Sequence, residues 1–185
     1  SICEGAIKID NLKNFCKENK ILCLGLSDTS NLCGALEFAE NISKVGTQPI
    51  IGTQIFFRFE DTTGLLPLIA LNEKGYKRII ELSSKSYLEN DALSDPHLDI
   101  KDLLIDTDGL ILLSGTIQGL FGKLFEKGRL EEVTKIYKSL SSKFYDRFYL
   151  EIQRHGDQNE TAFEKFNLEQ SLLIKIPIIA TNEVY

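Results

Sequence analysis

The sequence predicts an α/β domain, in which short apolar strands alternate with amphipathic helices along most of the chain. Two kinds of pattern support this class. Apolar runs such as Ile21–Leu26 and Gly109–Leu113 have the composition of strands covered on both faces of a sheet. Between such runs, apolar residues recur at helical spacing, most clearly from Leu130 to Leu140. No internal repeat or linker interrupts the alternation, so a single domain over residues 1–185 is expected.

In the N-terminal half, each element follows from a local pattern. Asp10 is placed as the N-cap of a first helix, in which Leu12, Phe15 and Cys16 then recur at helical spacing. A turn at Asp61–Gly64 separates two apolar runs, which predicts a β-hairpin. The other elements predicted here are the strand Ile21–Leu26, the helix Leu32–Lys44, a strand at Pro49–Gly52 that continues through Ile55–Phe59, the strand Leu65–Leu71 and the helix Glu73–Tyr87.

In the C-terminal half, Asp157 and Glu160 resemble a capping box, with Asp in the role of Ser or Thr. The helix that this box opens is expected to bury Phe163, Phe166 and Leu173. The other elements predicted here are the loop Asn90–Pro96, a short helix at Ile100–Ile105, the strand Gly109–Leu113, the helix containing Leu130–Leu140, and the strands Phe148–Ile152 and Ile176–Ala180.

Composition and charge exclude several classes of protein. The 185 residues include 21 Lys and Arg against 27 Asp and Glu, a formal net charge of −6, whereas domains that grip phosphate backbones usually have a basic excess. Every apolar run is shorter than the ~20 residues that span a bilayer, so no membrane association is expected. The cysteines Cys3, Cys16, Cys23 and Cys33 form no Cys-x-x-Cys pair and are expected to be reduced in an intracellular compartment. Because the chain starts at Ser1 and has no Met, we expect a fragment of a longer protein.

Polar residues follow nearly every predicted strand. In α/β folds, functional sites lie at the C-terminal ends of the strands. Ser27–Asn31 follow the first strand, Gly52–Gln54 the second and Ser114–Thr116 a later one. Gln153–Gly156 and Thr181–Glu183 follow the last two strands. These residues are expected either to line a common mouth or, as ordinary loop residues, to cap the helices.

Three kinds of site can be compared with these strand ends. A phosphate-binding loop is suggested by the glycines before Lys123, but the spacing is not G-x-x-x-x-G-K, and Leu124 stands where a magnesium-binding hydroxyl is needed. A nucleophilic triad is disfavoured because His97 and His155 are the only histidines and no G-x-S-x-G elbow is present. A metal cluster has suitable positions at the strand ends, but most of the residues there are not metal ligands.

Six segments, in their order and spacing, carry a resemblance to a known family. They are Leu26–Gly34, Pro49–Gly52, Asn72–Tyr76, Gly109–Gly115, Phe148–Gly156 and Ile178–Tyr185. Over essentially the whole chain, they resemble the PHP (polymerase and histidinol phosphatase) domain of the bacterial DNA polymerase III alpha subunit. The resemblance implies a distorted seven-stranded, TIM-like β/α barrel at the N-terminus of a much longer polymerase. Six strands are readable, and the first strand, with the family's His-x-His, is expected to precede Ser1.

The resemblance also implies a set of metal-ligand positions. In metal-binding members, a trinuclear site hydrolyses phosphodiesters, in some cases as a 3′–5′ proofreading exonuclease. Asp28 and His155 keep the family's ligand, and Glu183 is a conservative substitute. The four positions that have lost the ligand group are Thr29 and Tyr185, each in place of His, Gln54 in place of Glu, and Thr116 in place of Cys.

These substitutions predict an inactive site. Neutral amide and hydroxyl groups do not supply the negative charge that holds several divalent ions a few ångströms apart. We therefore expect no catalytic residue and no metal or other cofactor in this domain, and we expect Thr29, Gln54 and Tyr185 to form a hydrogen-bonded plug. Zn or Mn would be the cofactor if the site were active, and Mg would serve the polymerase part of the longer chain.

The function that the resemblance implies is a structural module of a cytoplasmic replicative polymerase. It would dock the proofreading exonuclease subunit and contact the remaining polymerase domains, with DNA bound through the rest of the chain. One alternative is a residual metal-dependent 3′–5′ exonuclease or phosphoesterase, and another is a phosphoesterase unrelated to replication. A barrel that lacks a strand exposes unpaired backbone groups, so restoring upstream residues is expected to raise the melting temperature.

Overall fold

A computed structural model describes residues 7–91 and 94–182 of the chain. In these ranges it contains seven α-helices and seven strands, with a 3-10 turn at Tyr145–Arg147 before the sixth strand. The elements in chain order are α1 (Ile9–Asn19), β1 (Cys23–Thr29), α2 (Ala35–Ser43), β2 (Gln48–Phe59), β3 (Thr62–Ala70), α3 (Glu73–Leu88), β4 (Leu98–Asp99), α4 (Ile100–Leu103), β5 (Leu110–Leu113), α5 (Leu120–Glu126), α6 (Leu130–Phe144), β6 (Phe148–Ile152), α7 (Glu160–Ile174) and β7 (Ile178–Ala180).

The strands form one curled sheet in the order β1-β2-β3-β5-β6-β7, and the short β4 pairs with β2. Strand β3 is antiparallel to both of its neighbours, β2 and β5. Strand β1 is parallel to β2. Strands β5, β6 and β7 are parallel to one another. Two antiparallel steps restore the strand direction, so β1, β2, β5, β6 and β7 all end at the same edge. In the described ranges β1 and β7 are not paired with each other, and the sheet is a half-barrel consistent with a partial TIM-like barrel.

The main core lies between the outer face of the sheet and helices α3, α5, α6 and α7. Alternate strand residues such as Phe57 and Leu68 are fully buried there. At the centre of this core, the ring of Tyr137 packs edge-on against those of Phe121 and Phe148, with centroids 4.9 and 5.6 Å away. A smaller cluster on β1 contains residues of α1 and α2, namely Cys16, Phe38 and Ile42.

Most of the predicted elements are confirmed. Strand β6 has the predicted bounds, α3 and α6 lie where the helical patterns placed them, and β2 and β3 form the predicted hairpin. The two segments around Gly52 are one continuous strand, and the hairpin loop is Glu60–Asp61, since Phe59 already pairs with Thr62. The short helix predicted at Ile100–Ile105 ends earlier, at Leu103. None of the helices in the described ranges has the length and apolar character needed to cross a membrane.

Two predictions about the first elements are wrong. The N-cap of α1 is Lys8, and Asp10 lies in the first turn, where its carboxylate favours the positive end of the helix dipole. Strand β1 is not covered on both faces, because Cys23, Gly25 and Ser27 are exposed on its inner side. The reason is that the half-barrel is open, since β1 and β7 are not paired in the described ranges, and this face of β1 is therefore not enclosed.

Two predictions about the last part of the chain are also wrong. The residue before α7 is Asn159, which has a left-handed backbone (φ 64°) and no capping side-chain bond, so Asp157 does not cap the helix. Leu173 is 75% exposed, whereas Phe163 and Phe166 are buried as expected, because α7 turns only that side to the core. Helix α5 was not predicted, since Gly115, Gly119 and Gly122 obscure its apolar pattern.

Candidate functional site

The site predicted from sequence lies along the edge where the parallel strands end. Asp28 and Thr29 are the last two residues of β1, and Thr29 is the register partner of Gln54 on β2. The structure therefore brings Thr29 and Gln54 side by side, as a shared mouth requires. Gln54 lies inside β2, which continues for five residues into the hairpin, so it does not follow a strand end as predicted.

The end of β1 is tied to the middle of β2 by backbone and hydroxyl contacts. Asp28 is buried, and its backbone oxygen accepts a hydrogen bond from Thr53 Oγ1 at 2.7 Å. The backbone N–H of Ser30 donates to the backbone oxygen of Gln54, also at 2.7 Å. The turn that follows β1 is thus tied directly to β2 beside the two predicted site residues. Tyr185, the third member of the predicted plug, and Glu183 lie outside the described residues.

The ends of β5, β6 and β7 are joined through one residue, Glu151, which uses its carboxylate toward β7 and its backbone N–H toward β5. This side chain is buried, and its Oε1 accepts hydrogen bonds from Gln153 Nε2 at 3.1 Å and from Thr181 Oγ1. The backbone N–H of Glu151 donates to Ser114 Oγ at 2.9 Å. Sequence reasoning cited Glu151 only as part of a family segment. The sequence feature that could have identified Glu151 is its position in the apolar run Phe-Tyr-Leu-Glu-Ile, because a carboxylate in such a run needs polar partners when it is buried.

His155, the imidazole kept from the family pattern, lies in the exposed loop between β6 and α7. Its Nε2 is 3.0 Å from Gln153 Oε1. The backbone N–H groups of His155 and Gly156 donate to the two carboxylate oxygens of Glu160, at 2.8 and 2.9 Å. These two bonds, that from His155 first, hold the pKa of Glu160 below its usual value. The Glu160 carboxylate therefore bonds back to this loop, as the second half of a capping box does, and the backbone of Asp157 also contacts Glu160, but no side chain caps the helix in return.

Thr116 lies close to the hydrogen-bonded residues at the ends of β6 and β7. Together with Glu151, Gln153, Phe163 and Glu160, it lines a cavity of about 10 Å³, which is the space of roughly a single water molecule. Side chains that bond to one another therefore fill this part of the mouth.

A buried pair of polar side chains on α6 and α7 connects these helices to the strand ends. The hydroxyl of Tyr137 on α6 donates to Asn167 Oδ1 on α7 at 3.0 Å and also contacts the side chain of Ser114. Burial raises the pKa of the Tyr137 hydroxyl far above its usual value, and the contact with Ser114 opposes that shift. The same serine accepts the Glu151 backbone bond, so α6 and α7 are linked to the site edge through Ser114.

The metal centre that the resemblance implies needs several charged or imidazole ligands on one side of the mouth. In the described ranges, no group of three or more His, Cys, Asp or Glu residues could hold a metal ion. Thr29, Gln54 and Thr116 offer neutral oxygen and amide groups, where several divalent ions would need carboxylates, thiolates or imidazoles. The described residues do not fit a centre of two or three ions.

Comparisons with known proteins agree with this arrangement of elements. The family model of the PHP domain matches residues 1–155. DNA polymerase III alpha subunits align with all of the chain, with 37% identity in Caulobacter vibrioides, 34% in Rickettsia felis and 33% in Vibrio cholerae. The aligned region is 17%, 15% and 16% of those relatives, so the chain spans about one sixth of their length.

A solved structure shows the same fold. A Bifidobacterium adolescentis protein assigned to the metal-dependent phosphoesterases superposes with a TM-score of 0.57, over 96% of this chain and 82% of that one. At 12% sequence identity this likeness concerns the fold alone. The family model and the relatives concern the sequence itself, and they show that this chain belongs to the PHP domain family.

Proposed function

We propose that the protein acts in DNA replication as the PHP module of a DNA polymerase III alpha-type subunit, with a structural and docking role in place of metal-dependent hydrolysis. The observation that carries this proposal is the chemistry at the ends of the parallel strands. Thr29, Gln54 and Thr116 are neutral where hydrolytic members need ligands. At two of these strand ends, protein groups bond to one another, as in the contacts of Glu151 with Gln153 and Thr181.

The partners follow from the family. The curated relatives are alpha subunits of DNA polymerase III, which supports contacts with the remaining polymerase domains. The further partner is a proofreading exonuclease subunit, whose activity would replace the one that the degenerate site lacks. The net charge of −6 disfavours direct gripping of DNA by this domain, so DNA and the Mg needed for polymerisation belong to other parts of a cytoplasmic polymerase.

Metal content tests the proposed loss of the site. After incubation with Mn²⁺ or Zn²⁺ and desalting, we expect elemental analysis to find less than one tightly bound ion per chain. A matched variant that restores three ligand types, Thr29→His with Gln54→Glu and Thr116→Cys, should retain more metal than the unaltered protein. Two or more tightly held ions in the unaltered protein would overturn the proposal.

The alternative function, residual phosphoesterase or 3′–5′ exonuclease activity, is favoured by the retention of Asp28 and His155. Its test is the hydrolysis of a chromogenic phosphodiester with and without Mn²⁺, with Asp28→Ala as the matched control. We expect no hydrolysis that depends on both Mn²⁺ and Asp28. Hydrolysis that Asp28→Ala abolishes would establish the alternative.

Docking has its own test. The protein and the proofreading exonuclease subunit of the same organism should migrate together in size-exclusion chromatography. Separate migration, with no metal found, would remove the docking role and leave the structural one.

A further inference from the structure

The tip of the β2–β3 hairpin, residues 59–63, is held to the rest of the molecule differently from the body of the hairpin. Two residues before the tip, Phe57 is fully buried in the main core. In the tip itself, Phe59 is only partly buried, and the side chains of Glu60 and Asp61 are 64% and 72% exposed. Glu60 also has a left-handed backbone (φ 53°), which favours glycine or asparagine. Phe59 packs against the main core and Thr62 is buried, so packing supports these two residues but not the exposed loop between them.

Cations from the segment around the end of α5 supply that support. Lys123 Nζ donates to the backbone oxygen of Thr63 at 3.0 Å. Lys127 Nζ donates to Thr62 Oγ1 at 2.6 Å and lies 3.2 Å from Asp61 Oδ2. These lysines lie on one side of α5, four residues apart, so one face of the helix contacts the tip.

Arg129 is the central group of this contact. Its side chain is 17% exposed and bonds to the carboxylates of Glu60, Asp61 and Glu132. Its guanidinium also lies over the Phe59 ring, 5.3 Å from the centroid, which adds a cation–π contact. The bond from Arg129 holds the pKa of Glu132 below its usual range. The bond from Lys127 does the same for Asp61. Both shifts are expected for carboxylates that are stabilised in their charged form.

Gly64 marks the point where the attachment changes. A Cβ atom on Gly64 would lie 2.4 Å from the backbone nitrogen of Leu120, so the hairpin backbone packs directly on the start of α5. From Gly64 inward, close packing fixes the hairpin. Outward of this residue, charged and polar bonds predominate.

We propose that residues 59–63 form an electrostatic latch, which opens as a local unit when its ion pairs are removed or screened while the sheet stays folded. Exposed ion pairs weaken as salt increases, whereas apolar packing does not. Segments with few buried apolar contacts open at lower free energy than the core. The latch is a conformational device of the hairpin and does not depend on the proposed role of the strand ends.

Amide hydrogen exchange of the whole protein tests this latch. In Arg129→Gln, we expect exchange at residues 59–63 to rise at least about tenfold, with little change in β5 and β6. The matched control is Arg154→Gln, which removes another bidentate arginine–glutamate pair, with Glu164, and should leave the tip unchanged. Raising NaCl to ~1 M should have the same selective effect on the unaltered protein.

Two results would overturn the latch. One is unchanged exchange at the tip in Arg129→Gln and in high salt. The other is an equal acceleration of all amides, which would mean that the tip opens only with global unfolding. Asp61→Asn, which removes one carboxylate from the exposed loop, provides a second variant if Arg129→Gln does not fold.

Discussion

Tyr137 combines two roles that different substitutions can separate. Its ring fills the centre of the main core, and its hydroxyl bonds to Asn167 and contacts Ser114. Tyr137→Phe keeps the ring and removes the hydroxyl, which leaves the buried Asn167 oxygen without that donor. We predict a loss of about 1–2 kcal/mol in the free energy of unfolding, measured by urea denaturation. Tyr145→Phe, at a side chain that is 74% exposed, is the matched control and should be nearly neutral.

A loss as small for Tyr137→Phe as for Tyr145→Phe would mean that the buried hydroxyl contributes nothing to stability. Such a result would also remove the proposed link from α6 to the site edge through Ser114.

Individual residues show which parts of the site could be predicted from the sequence and which could not. Thr29 and Gln54 could be identified as neighbours in the site, because a family motif fixes which strand position bears each ligand. The central position of Glu151 could not, because its partner Thr181 is 30 residues away and their contact depends on how β6 pairs with β7. Pairing across a sheet is a tertiary property that local patterns do not contain.

Helix α3 and strand β5 approach each other through two glycines. A Cβ atom on Gly75 would lie 1.8 Å from the backbone oxygen of Gly109, which itself has a left-handed backbone (φ 71°). We predict that Gly75→Ala lowers the free energy of unfolding by about 1–3 kcal/mol, since the helix must move away from the strand. Thermal and urea denaturation measure this effect.

Strand β1 provides a matched control for the same chemical change. A Cβ atom on Gly25 would have no heavy atom within 4 Å, and this glycine lies on the exposed side of the strand. Gly25→Ala should therefore be neutral or slightly stabilising, because it restricts the unfolded chain. Equal destabilisation by both substitutions would show that the close approach of α3 to β5 is not the cause.

Elements were predictable where one interaction dominates the pattern. Helix α6 has an apolar stripe facing the core, and this stripe predicts the helix over Leu130–Leu140, although the helix continues to Phe144. Helix α5 was missed because its glycines serve close packing: a Cβ on Gly122 would lie 2.1 Å from the Ile117 backbone oxygen. The cap of α7 was misplaced because the helix starts two residues after the predicted cap, behind Asn159, and Asp157 contacts Glu160 through its backbone only.

At the scale of the whole molecule, the class of fold followed from the alternation of strands and helices, but the sheet order did not. The antiparallel β3 between β2 and β5 departs from a regular β/α barrel, and no local pattern indicates which strands become neighbours. The barrel expectation came from family resemblance, which carries the long-range information that periodicity lacks.

The pH dependence of stability is a property of the whole charge distribution. Asp61, Asp108, Glu132, Glu160 and Glu164 all have pKa values below their usual ones, because N–H groups or cations bond to their charged forms. In the unfolded chain these groups titrate at their ordinary values, 3.8 for Asp and 4.5 for Glu. Between those values and the lower folded values, the unfolded chain binds more protons than the folded one, so acid favours unfolding.

The direction of each pKa shift sets the pH range in which the folded state loses stability. The stability from these carboxylates is fully present above their unfolded values and is lost as pH falls through the folded ones. Lys74 and Lys85 have raised pKa values, mainly through Asp108 and Asp102, so their contribution is lost only as pH rises above 10.5. We therefore predict a melting temperature that is nearly constant from about pH 6 to 9 and falls below about pH 4.

Thermal denaturation across this range, with Glu160→Gln as the comparison, measures the effect. Glu160→Gln should melt at a lower temperature than the unaltered protein at neutral pH, where the Glu160 carboxylate bonds to the His155 and Gly156 N–H groups. The two proteins should converge in acid, because a protonated Glu160 no longer provides that charged acceptor. A melting temperature that rises as pH falls from 5 to 3 would contradict the lowered pKa values of these carboxylates, since it would require carboxylates that bind protons more tightly in the folded state.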